Sequence, residues 1–227
     1  MASLPARDAP VAALLFDLDG TLIDSMPLHE QAWVQWFALH GLPFDDPAGF
    51  FAATAGRSID EILADLMPEL GTAEQQRLGD EREEMYRVLA RQQLQLIPGA
   101  LALMDMAAAQ GLPLAVCTAA PDANVALAYQ RFGLAARLQT TVNPSQGFRG
   151  KPHPDLFLEA ARRLGKEPAQ CIVFEDAPLG VEAAYRAGMR AVAITSTMPA
   201  AAFAGFPNLM RTVSDLTTLT PDTLAMA

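Results

Sequence analysis

Asp17 and Asp19 stand two residues apart directly after the apolar run 11–16, and Gly20-Thr21 follows them. In extended geometry residues two apart project to the same side. Two carboxylates so placed at the end of a buried strand repel unless a cation or a shared proton relieves them. Further polar groups stand at the ends of later apolar runs and at a helix entrance. Thr118 is followed by Ala119 and Ala120, residues small enough to let backbone N–H groups approach an anion. Lys151 precedes Pro152-His153-Pro154, and Glu175-Asp176 closes a wholly apolar run. Acidic groups there are costly unless they cap a helix or hold a metal. Alone, Thr118 reads as a strand end or N-cap and Lys151 as a surface charge. The conjunction is what is specific.

These groups suit phosphoryl transfer. A hard divalent cation taking oxygen ligands, Mg²⁺, is expected on Asp17, Asp176 and Glu175, with waters completing its shell. The metal and Lys151 would offset the charge between a carboxylate nucleophile and a phosphate dianion. Asp17 is then placed to attack phosphorus, splitting the reaction through an aspartyl-phosphate. Asp19 would protonate the leaving alkoxide and afterwards activate water. Thr118 and the neighbouring backbone at Ala119 would hold the transferring phosphoryl oxygens.

The elements that must position these groups are short apolar runs alternating with helical patterns. Residues 11–16, 112–118, 170–176 and 191–196 read as strands buried on both faces, because their apolar residues do not alternate with polar ones. Residues 138–143 form a weaker fifth candidate. Helices open at Pro98-Gly99, Pro121, Pro154 and Pro178 and stop at Gly111, Gly133, Gly165 and Gly188, the proline-first, glycine-last asymmetry of helix termini. Such repeats predict right-handed βαβ crossovers and an α/β, doubly wound parallel sheet. Open sheets of this kind bind ligands at the carboxyl ends of their strands, where all the polar groups above fall.

Residues 26–97 break the rhythm with no strand-like run and three or four amphipathic helical stretches. Trp33, Trp36 and Phe37 form an aromatic stripe that reads as this insert's own core. Ser58-Ile59-Asp60-Glu61 and Thr72-Ala73-Glu74-Gln75 match the capping box, and the charged stretch 81–91 suits a solvated helix face. The expected organisation is an α/β core of residues 1–25 and 98–227 with an all-helical cap of residues 26–97. The Ala-rich tail after Ala200 reads as structurally undemanding.

The 227-residue chain is 51% hydrophobic and 19% charged, enough apolar content to bury a sizeable core. Its 16 Lys and Arg against 26 Asp and Glu give a net charge of −10, which repels nucleic acid and anionic membranes. An anion site must therefore be built locally. Two cysteines, Cys117 and Cys171, make no disulfide framework, and no apolar run is long enough to span a bilayer. No signal-peptide pattern precedes Asp17. A cytoplasmic, soluble monomer acting on a small phosphorylated metabolite is expected.

The segments DLDGTLIDS (17–25), Thr118, GKPHPDLF (150–157) and FEDAPLGVEAAYRAGM (174–189) resemble, in order, the four motifs of the haloacid dehalogenase superfamily. The likeness is strongest to its β-phosphoglucomutase-like branch, phosphatases and mutases with a helical cap inserted after the first strand. The resemblance implies Asp17 as nucleophile, Asp19 as acid/base, and Thr118 and Lys151 as phosphate ligands. It also implies Mg²⁺ on Asp17, Asp176 and the Asp19 backbone carbonyl, with Glu175 in support. His29 and Ser25 resemble hinge and cap residues of the mutase, and His29 is either a substrate contact or a structural hydrogen bond.

Other substrate residues depart from the mutase. Ala55 stands at its lysine position, Ile59 at its arginine position, and Pro121-Asp122 replaces a lysine–asparagine pair. Arg57 could substitute as a cap contact or be a solvent-facing residue before the Ser58 cap. Loss of cations that hold a second phosphate favours hydrolysis of a sugar or polyol phosphate over the alternative, β-phosphoglucomutase-type transfer. A signalling receiver domain also unites acids, Thr and Lys on such a sheet, but the order of its residues and the helical insert exclude it.

Overall fold

The computed structural model describes residues 9–225; the expected core extends beyond them at both ends, where 1–8 and 226–227 lie outside the described residues. The chain opens with β1 (Ala13–Phe16) and β2 (Ile23–Asp24), then enters four helices: α1 (Met26–Leu39), α2 (Pro47–Thr54), α3 (Ile59–Leu66) and α4 (Thr72–Gln93). It returns through β3 (Gln95–Leu96), which pairs antiparallel with β2, so two short strands form the stem of the helical insert. The expectation of no strand in residues 26–97 missed β3, which is too short to carry a pattern.

From there strand and helix alternate: α5 (Ala100–Ala109), β4 (Leu114–Cys117), α6 (Asp122–Phe132), β5 (Thr140–Val142), α7 (Asp155–Leu164) and β6 (Cys171–Glu175). The chain closes with α8 (Pro178–Arg186), β7 (Arg190–Ile194), β8 (Leu209–Val213) and α9 (Pro221–Ala225). Six strands form one parallel sheet in the order β5-β4-β1-β6-β7-β8. The tail after Ala200 is not undemanding: it supplies the edge strand β8, and Phe203, Leu216, Leu219 and Leu224 are buried in the core.

Alternation divides the sheet's side chains between two faces. Leu14, Phe16, Val116, Ile172 and Phe174 pack with Leu103 and Met104 of α5 and Val125 and Ala128 of α6. Ala13, Leu15, Cys117, Cys171 and Val173 pack with Phe157 and Ala160 of α7 and Val181 and Ala184 of α8. Each large side chain so buried contributes about 1.5–3 kcal/mol.

The insert has its own core, in which Trp33, Trp36 and Phe37 of α1 meet Ile62 and Leu63 of α3 and Leu78 of α4. The Trp33 and Trp36 rings meet edge-on at 5.5 Å and 83°, and Phe37 stacks on Phe44 at 4.2 Å. Ser58 caps α3 as expected, its hydroxyl accepting from the Glu61 N–H while Glu61 accepts from the Ser58 N–H at 2.9 Å. The Thr72 capping box does not form: Gly71 is the N-cap, no side chain bonds there, and Thr72 is already helical. At the other end of α4, Arg131 of α6 donates to the carbonyls of Arg91 (2.8 Å), Gln92 (3.3 Å) and Leu94 (2.9 Å), pinning the insert's return to the sheet. Among the described residues no helix is long and apolar enough to cross a membrane.

Candidate active site

Asp17 extends β1 by one residue, its N–H donating to the Phe174 carbonyl at 2.9 Å, so the β1–β6 pairing brings it beside Glu175 and Asp176. Lys151, from the loop before α7, donates to the Asp17 carboxylate and lies 2.5 Å from Glu175 Oε1. The other Glu175 oxygen accepts from the backbone N–H groups of Asp176 (3.2 Å) and Ala177 (3.4 Å), at the entrance of α8. Gly20, at φ 73°, lies against Asp176: a Cβ there would fall 2.1 Å from the carboxylate. Thr21 donates to the same carboxylate at 3.4 Å.

Oxygens of Asp17, Glu175 and Asp176 all lie within 4.8 Å of one another, and all three residues are buried. Burial pushes Asp17 well above the usual carboxylate range, and Glu175 and Asp176 push it further, against the pull of Lys151. Burial and then the Glu175 charge raise Asp176 to about 7. Lys151 moves the opposite way to a buried amine. Burial alone would lower it, but the carboxylates of Asp17 and Glu175 hold it above its ordinary value. Three carboxylates around one ammonium leave an excess of negative charge that a divalent cation would balance. The all-oxygen donor set fits a hard ion such as Mg²⁺.

Asp19, two residues beyond Asp17, has its own set of side-chain partners. Its Oδ1 accepts from Ser25 Oγ at 2.6 Å and from His29 Nε2 at 3.4 Å. Burial would raise this carboxyl, but the His29 hydrogen bond and charge, with Ser25 and Lys151, bring it below the ordinary value. Asp17 and Asp19 line one cleft, with Thr118, Ala119 and Asp176. The Thr118 hydroxyl accepts from the Ala120 N–H at 3.0 Å, fixing the turn after β4. Asn143 braces that turn by donating to the Ala120 carbonyl (3.2 Å) and to Asp122 (2.7 Å).

The cleft encloses about 740 Å³, its mouth included, between the insert and the strand ends. His29 and Arg57 line it, but both are engaged by protein. His29 stacks on Tyr86 at 3.8 Å and sets its second ring nitrogen 2.8 Å from Arg82. Arg57 donates to the Glu61 carbonyl (3.1 Å) and the Asp65 carboxylate (2.7 Å).

Sequence reasoning missed Arg82, Glu83 and Asn124, which also line the cleft and are buried. The charged stretch 81–91 was expected on a solvated face; instead Arg82, Glu83, Tyr86 and Ala90 turn inward on one side of α4. The i, i+4, i+8 spacing of Arg82, Tyr86 and Ala90 was the available signal, with Glu83 beside it. Trp33, assigned to the insert's core, lines the cleft as well.

The sequence and the fold have relatives among known proteins. The pattern of the haloacid dehalogenase-like hydrolases matches residues 11–188. Validoxylamine A 7'-phosphate phosphatase of Streptomyces hygroscopicus subsp. limoneus is 33% identical over 221 residues, covering 89% of this chain and 94% of that protein. Hexitol phosphatase A of Escherichia coli is 34% identical over 183 residues, covering 80% and 82%. The crystal structure of a family IA, variant 3 hydrolase of this type from Entamoeba histolytica superposes with a TM-score of 0.85 at 25% identity, over 96% of this chain and all of that one. With the family pattern running from the first strand to the end of α8, and relatives alike over most of both chains, this chain belongs to the haloacid dehalogenase-like hydrolases.

Proposed function

We propose that this hydrolase is a Mg²⁺-dependent phosphatase of small sugar or polyol phosphates, working through a phosphoryl group carried on Asp17. The observation that carries the reading is the buried knot of Asp17, Glu175 and Asp176 around Lys151. Asp17, Asp176 and the Asp19 backbone carbonyl would hold the ion, with Glu175 in support. When bound, the ion supplies positive charge against the phosphoryl oxygens. Both relatives named above are phosphatases, one of a hexitol phosphate.

Asp17 attacks phosphorus and the bond to the leaving oxygen breaks, while Asp19, which must first take up a proton as the substrate's phosphate dianion binds, gives that proton to the departing alkoxide. Water then attacks the same phosphorus, Asp19 takes its proton, and the bond to Asp17 breaks to release phosphate. Lys151 orients the Asp17 carboxylate and favours its ionised form against the effect of burial. Thr118 and the N–H of Ala119 receive the phosphoryl oxygens. His29 and Ser25 aim Asp19, which fits His29 better as a positioning residue than as a substrate ligand, since both its ring nitrogens have protein partners.

The division into a core of residues 1–25 and 98–227 and a cap of residues 26–97 belongs to this proposal. The insert leans on the core where Gly56 approaches Ala177, a Cβ on the glycine falling 3.2 Å away. Closing there would exclude bulk water during transfer. The test is phosphate release from a panel of sugar, polyol and nucleotide monophosphates, with Mg²⁺ and then with EDTA. Metal-dependent release from the sugar or polyol members is expected. No release from any member, or glucose 6-phosphate formed from β-glucose 1-phosphate with little free phosphate, overturns it.

A further inference from the structure

Beyond Asp19, on the side that would receive the leaving group, side chains continue in a chain of contacts: His29, then Arg82, then Glu83. Arg82 Nη1 lies 2.7 Å from Glu83 Oε1, and Asn124 donates to Glu83 Oε2 at 2.6 Å. Arg87 donates to the Asn124 side-chain oxygen Oδ1 at 3.0 Å. Glu83 is therefore fixed from two elements, α4 and α6, with its carboxylate at the wall of the cleft. Each of its oxygens accepts one hydrogen bond from protein and retains acceptor capacity for another.

The charges around it are matched. The guanidinium groups lining the cleft are Arg57 and Arg82. Arg57 is answered by Asp65 and Arg82 by Glu83. Glu30 adds a further carboxylate to the lining. Lys151, committed to Asp17 and Glu175, belongs to the phosphoryl end. A ligand reaching past Asp19 thus meets hydroxyl acceptors and no unanswered cation.

We infer that Glu83 is a specificity-determining residue of this cleft: it accepts hydrogen bonds from the hydroxyls of an uncharged sugar or polyol tail and turns away substrates whose tail carries a second anion. The inference rests on the phosphatase reading for the position of the tail, and it adds the discrimination by charge. Rejection arises in two ways. The carboxylate repels a second anion directly, and it neutralises Arg82, the buried one of the two lining guanidinium groups, which would otherwise attract it.

The test compares a near-isosteric pair that differs in tail charge: sorbitol 6-phosphate against 6-phosphogluconate. Each is assayed for phosphate release by the wild-type chain and by Glu83→Gln, and for binding to Asp17→Asn by calorimetry. The wild-type chain is expected to favour the uncharged-tail member by at least about tenfold in kcat/KM. Glu83→Gln should shrink that preference about tenfold by gaining on the anionic member. Equal use of both members by the wild-type chain, or a proportional loss on both in Glu83→Gln, overturns the role of Glu83.

If Glu83→Gln does not fold, the wild-type and Asp17→Asn arms decide alone. Absence of turnover with charge-selective binding retained in Asp17→Asn would refute the phosphatase reading and leave the selectivity standing. Turnover without selectivity would do the reverse.

Discussion

Glu175 is folded so tightly against Gly180 that a Cβ on the glycine would fall 1.9 Å from its carboxyl carbon. This contact lets one carboxylate face Lys151 with one oxygen and the entrance of α8 with the other. Gly180→Ala must push Glu175 away, a form of overpacking that costs about 1–3 kcal/mol. The expected result is a melting temperature lower by about 2–10 °C and at least about tenfold less phosphate release. Thermal melting alongside the assay checks both. A variant with wild-type stability and activity would show that Glu175 has another place to go.

Lys151 answers two carboxylates whereas Asp17 is one of them, so their removal is unequal. Asp17→Asn should abolish phosphate release while leaving a folded protein, since the buried charge excess falls. Lys151→Met leaves three buried carboxylates without their ammonium, a loss on the order of 3–5 kcal/mol. In EDTA it should melt well below both Asp17→Asn and the wild-type chain. Equal melting of the two variants would contradict the charge count.

Asp176, raised to about 7 chiefly by burial, has a folded-state value above its ordinary 3.8. The folded protein then holds a proton that the unfolded chain has lost, so without metal this group's contribution to stability falls as pH rises from about 4 through about 7. A divalent ion binds the ionised form and removes that loss. Stabilisation by saturating Mg²⁺ should therefore grow with pH, reaching about 5–10 °C near pH 8. Melting curves with Mg²⁺ and with EDTA from pH 5 to 8 measure it, and a pH-independent difference would refute it.

Both thiols should be inert in the folded protein. Burial pushes Cys171 up to about 12 and Cys117 higher still, so on the order of one thiol in ten thousand or fewer is ionised at pH 8. Ellman's reagent at pH 8 should find no reactive cysteine in the native chain and two after guanidinium unfolding. Stoichiometric labelling of the native protein would be the contrary result.

Most of the sheet was legible because buried parallel strands are continuous apolar runs, and because glycines such as Gly133 and Gly165, both left-handed at helix ends, mark where helices stop. The acidic and basic groups at strand ends were visible for the same reason: ionisable residues are out of place after runs such as 171–175. β8 escaped notice because an edge strand has one neighbour. LMRTV carries Arg211 and Thr212, both exposed, and no apolar run to announce it. Arg82 and Glu83 were hidden by composition, since a stretch rich in Glu and Arg looks solvated until tertiary packing shows which side of the helix turns inward. The Thr72 cap failed because Gly71 can adopt the N-cap conformation itself, and nothing local distinguishes the two positions.

The pairing of Ala13 with Cys171 sets an order of assembly. As the chain leaves the ribosome, the helical insert, whose aromatic core lies within residues 33–78, emerges ahead of β4 to β8 and can fold as a unit first. β1 waits with one edge bare until β6 has been made. Asp17 meets Lys151, Glu175 and Asp176 only when that late strand docks beside it. A nascent or truncated chain ending before β6 thus carries the first motif intact but lacks Glu175 and Asp176 beside it, so the proposed phosphoryl transfer would have to wait until most of the polypeptide is built.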